Sequence, residues 1–407
     1  MAIHIKVAST ATEIDEALRL RHDVYVIEDG KFGGKALPDP RILDRYDAFP
    51  FVYNIVAFED GEPIATLRLI KDSGQGTPAD HLYDFSAYRN ALDREIEARA
   101  YLPLSGDKEV KAVFGSAGML AIRLGWRRRR DVLRAMFRMA AAVCRARGAT
   151  HLIVAVNHET ATIYRRFNFV QLAEKYWHDD IGTYLVPLAA TVEGFHQWAF
   201  GDLPKTPLDQ FKDSFERIVV RAGETIFREG DGGNSAYIVD NGNVRVSRRG
   251  PAGGELTLTH LGHCDLFGEL ALVDNEPRSA TVAAITDAEL LTLDRETFQR
   301  ELSFHPERSQ DLLKIFAGRI RRMDELALVL AFAPPGERLE FALEVARRRA
   351  DEDRKHPGEF VFKGGIEELA LLAAVDETMT TNFLKLQAEK GKLTYSQKQI
   401  RFLPEHR

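Results

Sequence analysis

The sequence predicts a multidomain α+β protein, and three observations support this fold class. Its 407 residues are more than one ordinary domain needs. Strand and helix patterns alternate over residues 1–190, which is typical of a mixed α/β sheet. From residue 211, short strands with regularly spaced glycines indicate a β-roll, followed by a long amphipathic helix over 306–332 and a last helical segment.

Composition and charge exclude several classes of protein. The net charge of −6 gives the whole chain no general attraction for nucleic acid or an anionic membrane. No run of about 18 apolar residues is present, so no membrane span is expected. The two cysteines, Cys144 and Cys264, fall in different predicted domains, which favours a reducing cytoplasm over a disulfide framework. No metal site is expected.

The first predicted domain reads as a sheet with helices between its strands. Apolar periodicity and turn signals such as Asp60-Gly61 define the elements. The expected elements are strand His4–Val7, helix Ala11–Val26, strands Val52–Glu59, Pro63–Ile70 and Ala117–Ile122, helix Asp131–Gly148, strand His151–Val156 and helix Thr160–Phe167.

A basic loop lies between strand Ala117–Ile122 and the helix that begins at Asp131. Backbone N–H groups, the positive end of a helix dipole and guanidinium groups together suit a pyrophosphate. A solvated basic face or a nucleic-acid patch remains an alternative. The candidate ligands are Arg123, Arg127, Arg128, Arg129 and Arg130.

The tract Asn157–Phe169, NHETATIYRRFNF, follows the next strand. Asn157 can hydrogen-bond a pantetheine amide, and Tyr164 can offer a phenol proton to a departing thiolate. The alternative is structural, with Asn157 at a helix N-terminus and Tyr164 in the core.

A second anion site is indicated by the stretch 267–283, FGELALVDNEPRSATVA. Backbone N–H groups at a helix start can face an anion, Arg278 can pair with a phosphate and Glu269 can accept from a sugar hydroxyl. Alternatively, this is a capped helix in which Arg278 and Glu269 pair only with each other. The candidate binding residues are Gly268, Glu269, Leu270, Ala271, Arg278, Ser279 and Ala280.

The basic loop and the Asn157–Phe169 tract resemble the GNAT acyltransferase superfamily. The resemblance implies an acyl donor, acyl-CoA or acyl-carrier protein, bound along the central strand, with Leu120 and Ile122 in contact with it. It also implies that the strand 118–121 supplies a backbone N–H to the developing oxyanion. The family's loop carries glycine where this chain has Arg130 and near the place of Val132, so the arginine side chains are expected to contribute more.

The order of RHDVY at 21–25, DRYD at 44–47, Arg68 and Phe85 resembles the autoinducer synthases and the related N-acyl amino acid synthases. Ser116 and Met119 stand where lactone synthases carry Glu and Arg, which disfavours lactone synthesis. The resemblance implies attack of an amine on an acyl thioester. Asp44, Asp47 and Glu109 are candidates for the base or for amine recognition, with solvated loop carboxylates as the alternative.

The 267–283 stretch resembles the phosphate-binding cassette of the cyclic-nucleotide-binding domain found in catabolite-activator-type regulators. This implies cAMP or cGMP as an effector and a long helix that dimerises and reaches the base. Members that prefer cAMP carry Thr-Ser at the contact point, where this chain has Met323 and Asp324, so the base is open. The helix stripe could instead pack within its own domain.

The last segment resembles the winged helix-turn-helix of the same regulators. Residues 366–393 hold five acidic and three basic side chains, a poor footprint for DNA. We therefore expect a degenerate domain that does not bind DNA. The predicted boundaries are 1–190, a packed linker at 191–210, 211–332 and 333–407.

Three functions follow from these resemblances. The first is an N-acyltransferase that acts on an amine such as an amino acid, is controlled by a cyclic nucleotide and forms a homodimer. The second is a transcriptional regulator whose first domain senses an acyl donor. The third is a nucleotide-regulated protein lysine acetyltransferase.

Overall fold

The computed structural model describes residues 2–31, 38–100, 112–179, 181–201, 216–250, 253–304, 306–353 and 355–404, with the backbone alone for 96–100, 301 and 306–308. The chain divides into two compact units. One is formed by Ile3–Pro204 with Phe215–Arg217, and the other chiefly by Ile218–Arg407. We call them the N-terminal and the C-terminal unit.

The N-terminal unit is a mixed sheet flanked by helices, as predicted. A π-helix (Asp23–Glu28) and two short 3-10 turns (Arg45–Ala48 and Leu124–Trp126) complete it. Its strands are β1 (Ile3–Val7), β2 (Val52–Glu59), β3 (Glu62–Lys71), β4 (Phe114–Ile122), β5 (His151–Asn157), β6 (Val170–Gln171), β7 (Tyr176–His178) and β8 (Thr183–Thr191). Its helices are α1 (Ala11–His22), α2 (Pro78–Leu82), α3 (Ser86–Ala100), α4 (Arg130–Ala146), α5 (His158–Arg165) and α6 (Val192–Phe200).

The strands run in the order β1-β2-β3-β4-β5-β8-β6, and β7 pairs with β8. The β4–β5 pair is parallel, whereas the other described pairs of this unit are antiparallel. Pairing of β4 with β5 joins Phe114–Ser116 to His151–Ile153 and stops there, although both strands continue. The two strands therefore part at their carboxyl ends, in the middle of the sheet.

Two predicted segments differ from the structure in the type of element they form. The helix expected to reach Val26 is α-helical only to His22 and continues as a π-helix, in which the Asp29 N–H bonds the Val24 carbonyl five residues back. The predicted linker begins as helix α6, whose Phe195 ring stacks on Trp198 and meets Phe137 of α4 edge-on. The linker's beginning is therefore packed, and residues 202–210 lie outside the described part of the chain.

The C-terminal unit contains two four-stranded paths, β14-β11-β16-β9 and β10-β15-β12-β13, and a separate sheet β17-β18-β20-β19. Its strands are β9 (Glu216–Val220), β10 (Thr225–Phe227), β11 (Ser235–Asn241), β12 (Val244–Arg249), β13 (Glu255–Leu261), β14 (Leu266–Phe267), β15 (Thr281–Ala284), β16 (Ala288–Asp294), β17 (Asp351–Glu352), β18 (Phe360–Phe362), β19 (Leu393–Tyr395) and β20 (Ile400–Phe402). Its helices are α7 (Leu270–Asp274), α8 (Arg295–Phe304), α9 (Pro306–Phe332), α10 (Pro335–Arg348), α11 (Gly365–Ala373) and α12 (Glu377–Glu389).

Several local signals place these elements. Pro334 and Pro335 end α9 and start α10, because proline lacks the N–H that a helix interior needs. Asp376 caps α12 by accepting the Met379 N–H at 2.8 Å. Leu339, Leu369 and Leu384 join α10, α11 and α12 in one buried core. Among the described helices, none has the length and hydropathy of a membrane span. The predicted fold class, a mixed α/β sheet followed by a sheet-rich region, is confirmed.

Candidate functional site

The opening between β4 and β5 forms a cleft in the N-terminal unit. A cavity of about 260 Å³ lies there, lined by Gly118 and Met119 of β4 and by Ala155 and Asn157 of β5. Most of its remaining wall is apolar, supplied by Ile70, Pro78, Ala79, Leu82, Ala117, Ile181 and Leu185. Such a slot suits an acyl chain and its thioester arm, because neither carries a charge to be solvated.

A bulge in β4 marks the mouth of this cleft. The β3 register passes from Arg68 opposite Gly118 to Thr66 opposite Ala121, which leaves Met119 and Leu120 without partner residues in β3. Met119 takes a positive φ of 53°, a strained value for this residue type. The Tyr25 hydroxyl donates to the Leu120 carbonyl at 2.8 Å. Backbone groups here lie outside the regular ladder, where a substrate can use them.

Asp44 and Asp47 lie beside the cleft, in a network of charges around the buried side chains of Arg21 and Arg68. Both carboxylates accept hydrogen bonds from Arg68, and Asp47 also accepts from Arg21 at 3.0 Å. Burial opposes ionisation of Asp47, but Arg21 and Arg68 outweigh it and keep the pKa of this carboxyl below its ordinary range. Arg68 itself lines the cavity. The arrangement makes the two aspartates counter-charges that hold Arg68 against the cleft wall. Their role as base or in amine recognition stays a prediction.

The predicted phosphate loop does precede α4, and its arginines have acidic neighbours. Arg123 pairs with Asp23 at 3.1 Å and Arg129 with Asp131 at 2.5 Å. Arg127 pairs with Asp29 at 2.7 Å and donates to the Ile122 carbonyl at 3.0 Å. Arg128 is exposed and Arg130 begins the helix. The loop is therefore less positive than its sequence suggests.

Glu28, the last residue of the π-helix, contacts this loop through its side chain. Its carboxylate accepts the Leu124 N–H at 2.8 Å and a guanidinium N–H of Arg127 at 3.1 Å. A carboxylate thus holds an amide and an arginine that a phosphate oxygen would otherwise use.

Asn157 and Tyr164 have different surroundings. Asn157 caps α5 by accepting the Glu159 N–H at 3.1 Å, and it also lines the cavity. Tyr164 is buried, with its ring edge-on to Phe137 and Phe169, and is not among the cavity-lining residues. Burial raises the pKa of the Tyr164 phenol, which keeps its proton at neutral pH. Glu109 lies outside the described residues.

A second cavity, of about 300 Å³, lies in the C-terminal unit. All seven predicted residues of the 267–283 stretch line it. Arg278 donates to the carbonyls of Gly268 and Ser235 at 2.6 and 2.7 Å, and it lies over the Phe227 ring. A Cβ on Gly268 would meet the Arg278 guanidinium at 2.8 Å, so only glycine allows this approach.

The alternative in which Arg278 and Glu269 pair only with each other does not describe the structure. Glu269 is buried and its ion pair is with Arg319 of α9, which also donates to the Leu266 carbonyl. Burial raises the pKa of Glu269 against the opposing effect of Arg319. Helix α9 thus contributes directly to the cavity, through Arg319, Arg322 and Met323.

Three residues at these two sites, Tyr25, Glu28 and Arg319, are not among the site residues that the sequence predicts. The sequence singles out Tyr25 only as part of RHDVY at 21–25. Glu28 gives no sequence signal because its partners, Leu124 and Arg127, lie far away in the chain. Arg319 lies one helical turn before Met323, so the position of the predicted base contact could have led to it.

Comparison with known proteins matches a family model to each of the two regions that hold these cavities. The cyclic nucleotide-binding domain model matches residues 217–304, and the N-acyl amino acid synthase FeeM model matches residues 16–191. The solved structure of FeeM, an N-acyl amino acid synthase from uncultured soil microbes, is 16% identical and covers 48% of this chain and 92% of its own, with a TM-score of 0.36. Both predicted domain types, an acyltransferase and a cyclic nucleotide-binding domain, are confirmed by the family models.

Two curated relatives match the C-terminal part. The CRP-like cAMP-activated global transcriptional regulator of Mycobacterium tuberculosis is 36% identical over 127 residues, 31% of this chain and 57% of the relative, so the chain spans little more than half of that protein. The cyclic AMP receptor protein of Thermus thermophilus is 32% identical over 192 residues, 47% of this chain and 86% of the relative. Through its C-terminal part the chain belongs to the cyclic AMP receptor protein family, and ahead of that part it carries an N-acyl amino acid synthase FeeM domain.

Proposed function

We propose that the protein is an N-acyltransferase of the GNAT type that moves an acyl group from acyl-CoA or acyl-carrier protein to an amine, and that a cyclic nucleotide regulates it. The observation that carries the acyltransferase proposal is the cleft between β4 and β5, with its bulge at Met119. The FeeM family match supports an amino acid as the acceptor.

The proposed reaction is direct transfer. The neutral amine attacks the thioester carbonyl and forms the C–N bond, a carboxylate or an ordered water takes the proton that the amine loses, and the C–S bond then breaks. A backbone N–H at the β4 bulge donates to the oxyanion, and the departing thiolate takes a proton. Tyr164 is the proposed donor of that proton because the tract Asn157–Phe169 resembles that of the GNAT acyltransferases, although burial raises the pKa of its phenol and it does not line the cavity.

The donor is held by its phosphate and pantetheine groups. Arg123, Arg127, Arg128, Arg129 and Arg130 are the proposed ligands of the phosphate, with Asn157 on the pantetheine arm. The acidic neighbours of this loop favour a donor that brings several negative charges, because it has to displace Glu28. The acidic surface of a carrier protein meets this requirement, and so do the phosphates of coenzyme A.

Cyclic nucleotide binding supplies the regulation in this proposal. The cassette residues, with Arg278 on the phosphate and Glu269 on the ribose, are the proposed contacts. The nucleotide changes the rate only if it binds one state of the protein more tightly than another. Helix α9 links the cavity to a proposed homodimer, because Ile320, Leu328 and Phe332 on this helix are more than 60% exposed.

The test is thiol release from acyl-CoA and from acyl-carrier protein, with a panel of amino acids and a lysine-containing peptide as acceptors. Faster release with a free amino acid than with the peptide supports the proposal. Release that depends on the peptide alone favours protein lysine acetylation. No amine-dependent release with either donor contradicts the proposal.

A second candidate is a transcriptional regulator, favoured by the match to 86% of the Thermus thermophilus protein. Against it, the exposed start of α12 presents Asp376 and Glu377, which repel DNA phosphates. A specific mobility shift that survives about 0.15 M salt would favour the regulator over the enzyme.

A further inference from the structure

We propose that the cavity of the C-terminal unit prefers a guanine base to an adenine base and that Arg322 of α9 selects it. This inference rests on the proposed binding of a cyclic nucleotide to that cavity.

The lining of the cavity divides into two parts. The cassette, residues 267–283, holds the groups suited to the phosphate and the ribose. The base is left to the remaining wall, which comes from β10, β12, β13 and α9. The polar side chains of that wall, among the described residues, are Arg248, Thr259, Arg319 and Arg322.

Three of these four side chains already have partners. Arg248 pairs with Glu229 at 2.5 Å. Arg319 is held by Glu269 and by the Leu266 carbonyl. The Thr259 hydroxyl donates to the His260 carbonyl at 3.2 Å. Only its oxygen lone pairs are then left to accept a hydrogen bond from a ligand.

Arg322 differs from these three. Within the described part of the chain it makes no hydrogen bond or ion pair. Asp265 is the carboxylate that attracts the Arg322 guanidinium, and it forms its own ion pair with Arg349 at 2.6 Å. Its guanidinium therefore remains for a ligand, next to the apolar Met323 side chain that can contact a base face.

The chemistry of a guanidinium decides which base it accepts. It carries N–H donors in a fixed fork and no acceptor. Guanine presents two acceptors side by side, O6 and N7, and both match the fork. Adenine replaces O6 with the N6 amine, a donor, and would set N–H against N–H. One such two-point contact discriminates between bases by about fivefold to a hundredfold.

The experiment is calorimetric titration of the full chain with cGMP, cAMP and cIMP, which keeps O6 and N7 but lacks the 2-amino group. We expect cGMP and cIMP to bind at least about fivefold more tightly than cAMP. Arg322→Ala should remove this preference. The matched control Arg321→Ala, exposed on the same helix and outside the cavity lining, should keep it.

A change of preference gives a stronger test than its loss. In Arg322→Gln the carboxamide can accept from the adenine N6 amine and donate to N7, so cAMP should gain relative to cGMP. Equal binding of cAMP and cGMP to the wild type, or a preference that survives Arg322→Ala, overturns the role of Arg322 while nucleotide binding stands. Absence of binding by all three nucleotides overturns this inference and the proposed effector together.

Discussion

Arg68 and Asp44 form a two-point ion pair on the wall of the cleft between β4 and β5, with Nη1–Oδ1 and Nη2–Oδ2 both at 2.8 Å. Asp47 adds a third contact to the same guanidinium at 2.7 Å. A charge this well compensated is held in one position, which suits a group that shapes a pocket rather than one that exchanges protons.

Removing one partner from this network should destabilise the N-terminal unit. Asp47→Asn leaves the buried Arg21 and Arg68 short of a counter-charge, and we expect the free energy of unfolding to fall by about 3 kcal/mol. Chemical denaturation at pH 7 measures it, with Asp60→Asn, in the exposed β2–β3 turn, as the control. A loss below about 0.5 kcal/mol would show that Asp47 does not support the network.

The same carboxylate should give the protein an acid-sensitive component of stability. The pKa of Asp47 is lower in the folded chain than its ordinary value. Its contribution is therefore complete above the unfolded-state pKa of about 4 and is lost as the pH falls through the folded-state value. Unfolding free energies measured from pH 7 to pH 3 should decline more steeply for the wild type than for Asp47→Asn. Parallel curves would contradict this assignment.

Tyr164→Phe tests the proposed proton donor. Loss of the phenol should lower the rate of thiol release by about a hundredfold if it protonates the leaving thiolate, while the buried aromatic packing is kept. Tyr395→Phe, on β19, is the matched control. A variant with the wild-type rate would remove Tyr164 from the mechanism and leave it as a core residue.

Glu28→Gln tests whether the acidic neighbour competes with the donor. Without the charge, the side chain holds Leu124 N–H and Arg127 less strongly, so a phosphate displaces it more easily and the KM for acyl-CoA should fall about fivefold. Glu62→Gln, an exposed substitution on β3, is expected to change nothing. If the KM rises instead, Glu28 orients the loop for the donor and does not compete with it.

The sequence predicted the local parts of both sites and missed the contacts between distant residues. The strand, the basic loop and α4 follow one another in the chain, so their patterns could be recognised, as could the 267–283 cassette. Pairing of Arg127 with Glu28 joins residues 99 apart. The network of Arg21, Asp47 and Arg68 likewise depends on how α1, the 45–48 turn and β3 pack. The bulge at Met119 depends on the β3–β4 register, which periodicity alone does not determine.

Arg278→Ala should weaken cyclic nucleotide binding by at least about tenfold, since it removes a charge-assisted contact with the phosphate. Calorimetry at one fixed salt concentration measures it. Arg249→Ala, exposed at the end of β12, is the control. Because Arg278 also bonds two backbone carbonyls, a thermal melt should accompany the titration to verify that the variant is folded.

The central claim is that nucleotide binding controls acyl transfer within one chain. The most direct measurement is the initial rate of amine-dependent thiol release with and without saturating cyclic nucleotide, for the wild type and for folded Arg278→Ala. The account predicts a severalfold change in rate for the wild type and none for the variant at the same nucleotide concentration. An unchanged wild-type rate, while calorimetry records bound nucleotide, would contradict it.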